Sequence, residues 1–153
     1  MNAPEEIIEM SQHLICHIIT LSKTHDYFIN QYIKKTEITP SQYYMLMYLY
    51  YNKEATQSKI ASACLMDRCG VSRSFKDLEE KGIITRKINE KNKRSYTITL
   101  TKKAEKIAEF LQEKEFEWEK MIYEEVGIEK EQLDALLKKL SLKSLYFNRE
   151  KFF

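Results

Sequence analysis

Two clusters of reactive side chains stand out in this 153-residue chain. His13, Cys16 and His17 are spaced by three and four residues, which on a helix brings one thiol and two imidazoles to a single face, a conceivable metal set. Cys64 and Cys69 bracket an Asp-Arg pair in the run CLMDRCGVSR. Neither cluster has a second Cys/His pair nearby in sequence to complete a tetrahedral site. An odd total of three cysteines points instead to free thiols in a reducing compartment. No metal and no cofactor are therefore expected, and packing is the plainer use of the first cluster. Cys16 and Cys69 stay open as thiol redox candidates. Cys69 falls in the first turn of an expected helix beside Arg68, a setting that lowers a thiol pKa.

Catalysis has little to work with. The chain contains no nucleophile elbow, no Gly-rich phosphate loop and no paired-carboxylate motif, so an enzyme is not expected. With 43% hydrophobic and 31% charged residues, but only three Gly and two Pro, it reads as a helix-rich globular chain rather than an all-β or disordered one. No apolar run approaches the roughly 20 residues that cross a bilayer. The acidic start MNAPEEIIEM is unlike a signal peptide, so no membrane partner and a cytoplasmic location are expected.

The formal charge of +2 is unevenly spread. Residues 1–54 carry −2, residues 55–103 carry +7 and residues 104–153 carry −3. A basic middle between acidic ends is the footprint of a surface for a polyanion.

The elements that would position that charge follow from periodicity. A helix is expected from about Glu5 to Lys35, where Ile7, Leu14, Ile18, Leu21, Phe28 and Tyr32 form one stripe and Ile8, Ile15, Ile19, Ile29 and Ile33 another. Two adjacent stripes are wider than one small core uses, which points to a partner subunit. Thr39, Pro40 and Gln42 spell a capping box for a second helix with Tyr43, Leu46, Met47 and Tyr50 on one face. Thr56 can cap a short helix through Cys64, Leu65 and Met66 make a bend, and Asp67 can cap a helix over Arg68 to Lys81 that turns Val71, Phe75 and Leu78 inward and stops at Gly82. Period-two alternation in IITRKIN and SYTITLT, around a polar EKNK, predicts a β-hairpin. Thr101 opens a long helix to about Val126, and a last helix starts near Glu129 with Leu133, Leu136, Leu137, Leu140 and Leu145. Two short helices joined by a tight bend and followed by a basic hairpin make a winged helix-turn-helix.

The motifs ITPSQYYMLMYLY, TQSKIA, MDRCGVSRSFKDLEEKGIITRK and NKRSYTITLT, in that order, resemble the MarR family of bacterial and archaeal transcriptional regulators. The resemblance covers nearly the whole chain. It implies a mainly α fold with a small β-hairpin wing, residues 1–153 forming a single family domain. Within it, residues 39–103 would be the DNA-binding lobe, and residues 1–38 and 104–153 dimerisation helices. It further implies an obligate homodimer that reads a pseudo-palindrome in double-stranded DNA. One departure concerns the wing, where the family's Asp-x-Arg is replaced by Asn92, Lys93 and Arg94. The arginine is kept, but an amide stands where a carboxylate would orient it.

On this reading the DNA-binding candidates are Thr56, Gln57 and Ser58 at the start of the first reading helix, Arg68, Ser72, Arg73 and Lys76 on the second, and Lys91, Lys93 and Arg94 on the wing. Arginine can bond a guanine edge with two donors, and lysine neutralises phosphate. Tyr43, Tyr44, Met47 and Tyr50, with Met45 and Tyr51 near them, are candidates either for plain core or for lining a pocket for an aromatic or amphipathic effector. The alternatives are a thiol-based redox regulator using Cys16 or Cys69, and a winged helix used only for protein contacts.

Overall fold

The computed structural model describes the backbone of residues 3–10, 12–66, 68–90 and 92–152, and side chains within these ranges except at 3, 4, 7, 10, 68, 69, 94 and 148–152. The expected cap Asp67 and the wing residue Lys91 lie outside the described residues, as do the side chains of Arg68, Cys69 and Arg94. The elements run α1 (Ala3–Met10), α2 (Leu14–Ile33), α3 (Pro40–Asn52), β1 (Glu54–Thr56), α4 (Gln57–Ala63), α5 (Arg68–Glu80), β2 (Ile84–Asn89), β3 (Asn92–Leu100), α6 (Lys102–Val126) and α7 (Lys130–Phe152). They group into two compact units, Met1–Glu115 and Phe116–Phe153. The expected winged helix-turn-helix is the fold observed.

In the first unit, the single helix expected over 5–35 is two helices. His13 is the extended N-cap residue of α2, so it does not share a helical face with Cys16 and His17. Only the last turns of α2 reach the core, through Ile29 and Ile33, while Leu14, Ile15, Ile18, Ile19 and Leu21 are 40–57% exposed. The core centres on α3, which buries Tyr43, Met45, Leu46, Met47 and Leu49 and so packs on more than the one face its spacing suggests. Ile60 of α4, Val71, Phe75 and Leu78 of α5, Ile84 and Ile98 of the sheet, and Ala104, Ala108 and Leu111 of α6 close it. Phe75 and its neighbours have essentially no exposed surface, worth about 1.5–3 kcal/mol for each large side chain.

Among the described residues, Gln42, 3% exposed, is the buried polar residue of this core. Its Oε1 accepts from the Thr39 N–H at 2.9 Å and its Nε2 donates to Asp77 Oδ2 at 2.6 Å. Lys81 donates to the same oxygen at 2.6 Å. One amide thus caps α3 and ties it to α5.

Both reading helices end in the same hydrogen-bond pattern. At the end of α5 the Gly82 N–H goes to Glu79 O and the Ile83 N–H to Leu78 O, with Gly82 at φ +65°. At the end of α4 the Leu65 N–H goes to Ser62 O and the Met66 N–H to Ala61 O, with Leu65 at φ +52°. This is the Schellman closure, in which one left-handed residue lets two terminal carbonyls be satisfied.

The sheet has strand order β1-β3-β2, both pairs antiparallel. Strand β1 is not among the expected elements; its three residues are extended because Ala55 pairs with Ile98 of β3. Thr101 joins wing to helix: its hydroxyl donates to Gly82 O at 2.7 Å and accepts from the Ala104 N–H at 3.3 Å.

The second unit holds the end of α6 and α7, separated by Gly127 at φ +68°. Lys130 pairs with Glu119 beneath the rings of Phe116 and Tyr123, and the Tyr123 hydroxyl donates to Asp134 at 2.9 Å. Leu136, Leu137, Leu140, Leu142 and Leu145 of α7 are 40–55% exposed.

Candidate nucleic-acid interface

Helix α5 is strongly two-sided. Val71, Phe75 and Leu78, spaced by four and three residues, are at most 1% exposed, while Ser72, Arg73 and Lys76 stand out in solvent. The helix is held by its apolar stripe and leaves its polar face open for a ligand.

The start of α4 is joined to that face. Thr56 Oγ1 accepts from the Lys59 N–H at 3.3 Å and so caps α4. Gln57 Nε2 donates to Ser72 Oγ at 2.7 Å, bringing two candidate DNA-contacting residues together from separate helices. Ser58 is exposed beside them. Lys76 also lies 3.9 Å from Glu80 one turn on, an exposed pair of little energetic consequence.

On the wing, Thr85 and Lys87 of β2 and Lys93 of β3 are exposed, and the Thr85 and Thr99 hydroxyls share a hydrogen bond at 2.8 Å. The alternation expected for the hairpin holds through Ile84 and Ile98, but Ile88 and Tyr96 are 63% and 48% exposed because the strands run past the edge of the core. At the tip, Asn89 Oδ1 accepts from the Asn92 N–H at 3.1 Å, and the register shifts between Ile88 and Asn89.

The effector candidates are scattered. Tyr43 is buried and its hydroxyl donates to the Glu115 carboxylate; Met47 is core. Exposed Tyr44 donates to Asp26 Oδ1 at 3.1 Å. Tyr50 lines an open cleft with Leu49, Lys53, Thr99, Leu100 and Glu105, and Lys53 Nζ lies 4.9 Å from its ring centre.

Sequence reasoning passed over a polar cluster between α2, α3 and α6. His25 Nε2 lies 2.9 and 2.8 Å from the two Glu115 oxygens, and its Nδ1 lies 3.8 Å from Asp26. The hydrogen bond to Glu115 raises the His25 pKa against the opposing effect of burial. Burial, with the Glu115 hydrogen bond, pushes Tyr43 far above the usual phenol range, and burial with Asp26 nearby pushes Tyr44 up to about 12. Two ion pairs of α5 were also missed: Asp77 with Lys81, and Glu79 with Arg86 of β2. The Lys81 and Gln42 hydrogen bonds hold Asp77 below the ordinary carboxylate value, and Arg86 does the same for Glu79.

Cys16 and Cys64 are free thiols, both half-buried, and burial pushes the Cys64 pKa up, away from thiolate reactivity. Among the described residues no group of three or more His, Cys, Asp or Glu side chains could hold a metal ion, and no helix is long and apolar enough to cross a membrane.

A helix pair closed by a tight bend, an exposed basic face on its second helix and a basic three-stranded wing define a winged helix-turn-helix DNA-binding protein. A sequence model of the MarR family matches residues 36–95. The chain is 30% identical over 118 residues to the uncharacterized HTH-type transcriptional regulator YybA of Bacillus subtilis, covering 76% of this chain and 79% of that one. It is 32% identical over 114 residues to the HTH-type transcriptional regulator BilQ of Clostridium symbiosum, covering 74% and 79% respectively. Its fold is similar to that of a MarR family regulator from Listeria monocytogenes complexed with 26mer DNA, at a TM-score of 0.79, 19% identity and 92% coverage of both chains. The chain belongs to the MarR family of transcriptional regulators.

Proposed function

We propose that this chain is a cytoplasmic, homodimeric repressor that binds a pseudo-palindrome in double-stranded DNA and is released by a small aromatic or amphipathic effector. The observation that carries the reading is the exposed Ser72-Arg73-Lys76 face of α5 behind a fully buried apolar stripe. Arg73, with Arg68, would read base edges in the major groove. Lys93, with Lys91, would neutralise phosphates and Arg94 would enter the minor groove, with Thr56 and Ser58 on the backbone and Gln57 beside Ser72.

The homodimer is supported by the exposed apolar residues of α2 (Leu14, Ile15, Ile18, Ile19 and Leu21) and of α7 (Leu136, Leu137, Leu140, Leu142 and Leu145), since exposed apolar patches mark interaction surfaces. Residues 39–103 would be the reading lobe, with 1–38 and 104–153 supplying the dimer contacts. Two such lobes would meet successive turns of the same face of a duplex. Effector response is supported by the open cleft at Tyr50, where Lys53 could meet an acidic group on an apolar ligand.

Selection of bound sequences from a random duplex pool tests the reading. The expected product is a palindrome with half-sites about ten base pairs apart. A flat dependence of affinity on salt, with no sequence enriched, would identify a winged helix used for protein contacts.

A further inference from the structure

Six described side chains make up the inner face of the wing, and one of them is charged. The register pairs Ile84 with Leu100, Arg86 with Ile98 and Ile88 with Tyr96, so these six side chains share a face on which Arg86 alone is charged. The base of that face is buried and its outer end exposed, and Arg86 stands at the transition. Its Nε donates to Glu79 Oε2 at 2.8 Å, and a terminal guanidinium nitrogen donates to the same oxygen. The guanidinium carbon lies 5.8 Å from the centre of the Tyr96 ring, its diagonal neighbour across the strands. Glu79 belongs to the last turn of α5. Three side chains therefore form a continuous link from the recognition helix to the part of the wing that projects beyond the core.

We propose that Glu79 is a positioning residue for DNA binding: by holding Arg86 against Tyr96 it sets the angle at which the wing leaves the recognition helix. This rests on the DNA-binding reading above. An ion pair between partly exposed groups adds little to folding, so its effect is on orientation rather than on stability. A two-stranded ribbon past the edge of a core bends readily, and a duplex meets helix and wing together only when their relative angle is right. Without the link the competent arrangement is a smaller fraction of the population, and apparent affinity falls by that fraction.

The sign of the effect separates positioning from simple charge. Removing a carboxylate beside a basic surface should, on electrostatics alone, tighten binding to DNA. Positioning requires the opposite, a loss of about three- to tenfold for Glu79→Ala. Glu79→Gln removes the same charge but keeps an oxygen acceptor for the Arg86 guanidinium, so it should recover most of that loss.

The test uses the full chain in two arms. In the free protein, residual dipolar couplings of the β2–β3 amides report the wing's orientation against α5. They should change in Glu79→Ala and stay close to wild type in Glu79→Gln, with an unchanged melting temperature in both. On duplex from the selected pool, Glu79→Ala should lose minor-groove protection from hydroxyl radical while keeping major-groove protection. Unchanged couplings, or tighter binding with an intact footprint, would overturn the positioning role and leave DNA binding standing. Wild-type protein that gives no salt-dependent footprint on any duplex would overturn both.

Discussion

The Gln57 amide and the Ser72 hydroxyl meet at 2.7 Å across the two helices of the reading motif. The contact is exposed, so water competes with it and it contributes little to folding. Its importance lies in orientation: the serine oxygen accepts from Gln57, leaving the hydroxyl proton free to point away from α4. Gln57→Ala and Ser72→Ala should each weaken duplex binding, and the double variant should lose less than the sum, with a coupling of about 0.5–1.5 kcal/mol. Fluorescence anisotropy on one fixed duplex at one salt concentration measures it. Strict additivity would mean the two side chains act on DNA independently.

Arg73 and Lys93 should fail in different ways. Arg73→Ala should cost about 1–3 kcal/mol on the preferred sequence and relax base preference at one position of each half-site. Lys93→Ala should weaken binding to all sequences alike and reduce the salt slope by about one per subunit. Repeating the pool selection with each variant, and titrating salt, distinguishes the two roles.

Gln42 is the side chain whose loss should hurt folding most for its size. Gln42→Ala removes the bond to the Thr39 N–H and the bond to Asp77 from a buried site. A destabilisation of about 1–3 kcal/mol is expected, read from urea unfolding midpoints.

Asp77 and His25 set opposite pH dependences. The folded Asp77 carboxyl lies below its ordinary value of 3.8. Its contribution is present above that value and is lost as pH falls through the lower folded pKa. Asp77→Asn should therefore lose stability at neutral pH and converge with wild type in strong acid.

The folded His25 pKa is raised from 6.5, so its contribution is complete below 6.5 and is lost as pH rises through the folded value. Glu115→Gln should flatten that decline. Thermal melts from pH 5 to pH 9 follow the His25 decline and melts from pH 7 down to pH 2 follow Asp77→Asn, and a Glu115→Gln profile parallel to wild type would remove His25 from the account.

Local pattern explains which parts of this architecture could be read in advance. Val71, Phe75 and Leu78 declare the buried side of α5 by spacing, and Gly82 declares its end. The capping role of Gln42 follows from its position three residues after Thr39. Pairings over long separations leave no such trace: His25 and Glu115 are 90 residues apart, and Gln57 and Ser72 are 15 apart on different helices. Strand β1 exists because β3 offers it a partner, which nothing in Glu54–Thr56 announces. The break before Leu14 was invisible for another reason. No Gly or Pro marks it, and the apolar spacing on its two sides stays in helical phase. Arg86 was hidden by the alternation around it, since a charge on an apolar strand face makes sense only once Glu79 is seen beside it.

The bend after α4 offers room for heat tolerance. Leu65 occupies at φ +52° the place that Gly82 fills after α5, and it leaves 80% of its surface in water. A branched residue held left-handed costs about 1–2 kcal/mol, and so exposed a side chain recovers little of that by packing. Asparagine accepts this conformation more readily while restricting the unfolded chain more than glycine does. Leu65→Asn should therefore raise the melting temperature by about 2–8 °C without altering the two closing hydrogen bonds. The joint between the reading helices thus works below its thermal ceiling, and one surface position sets how far below.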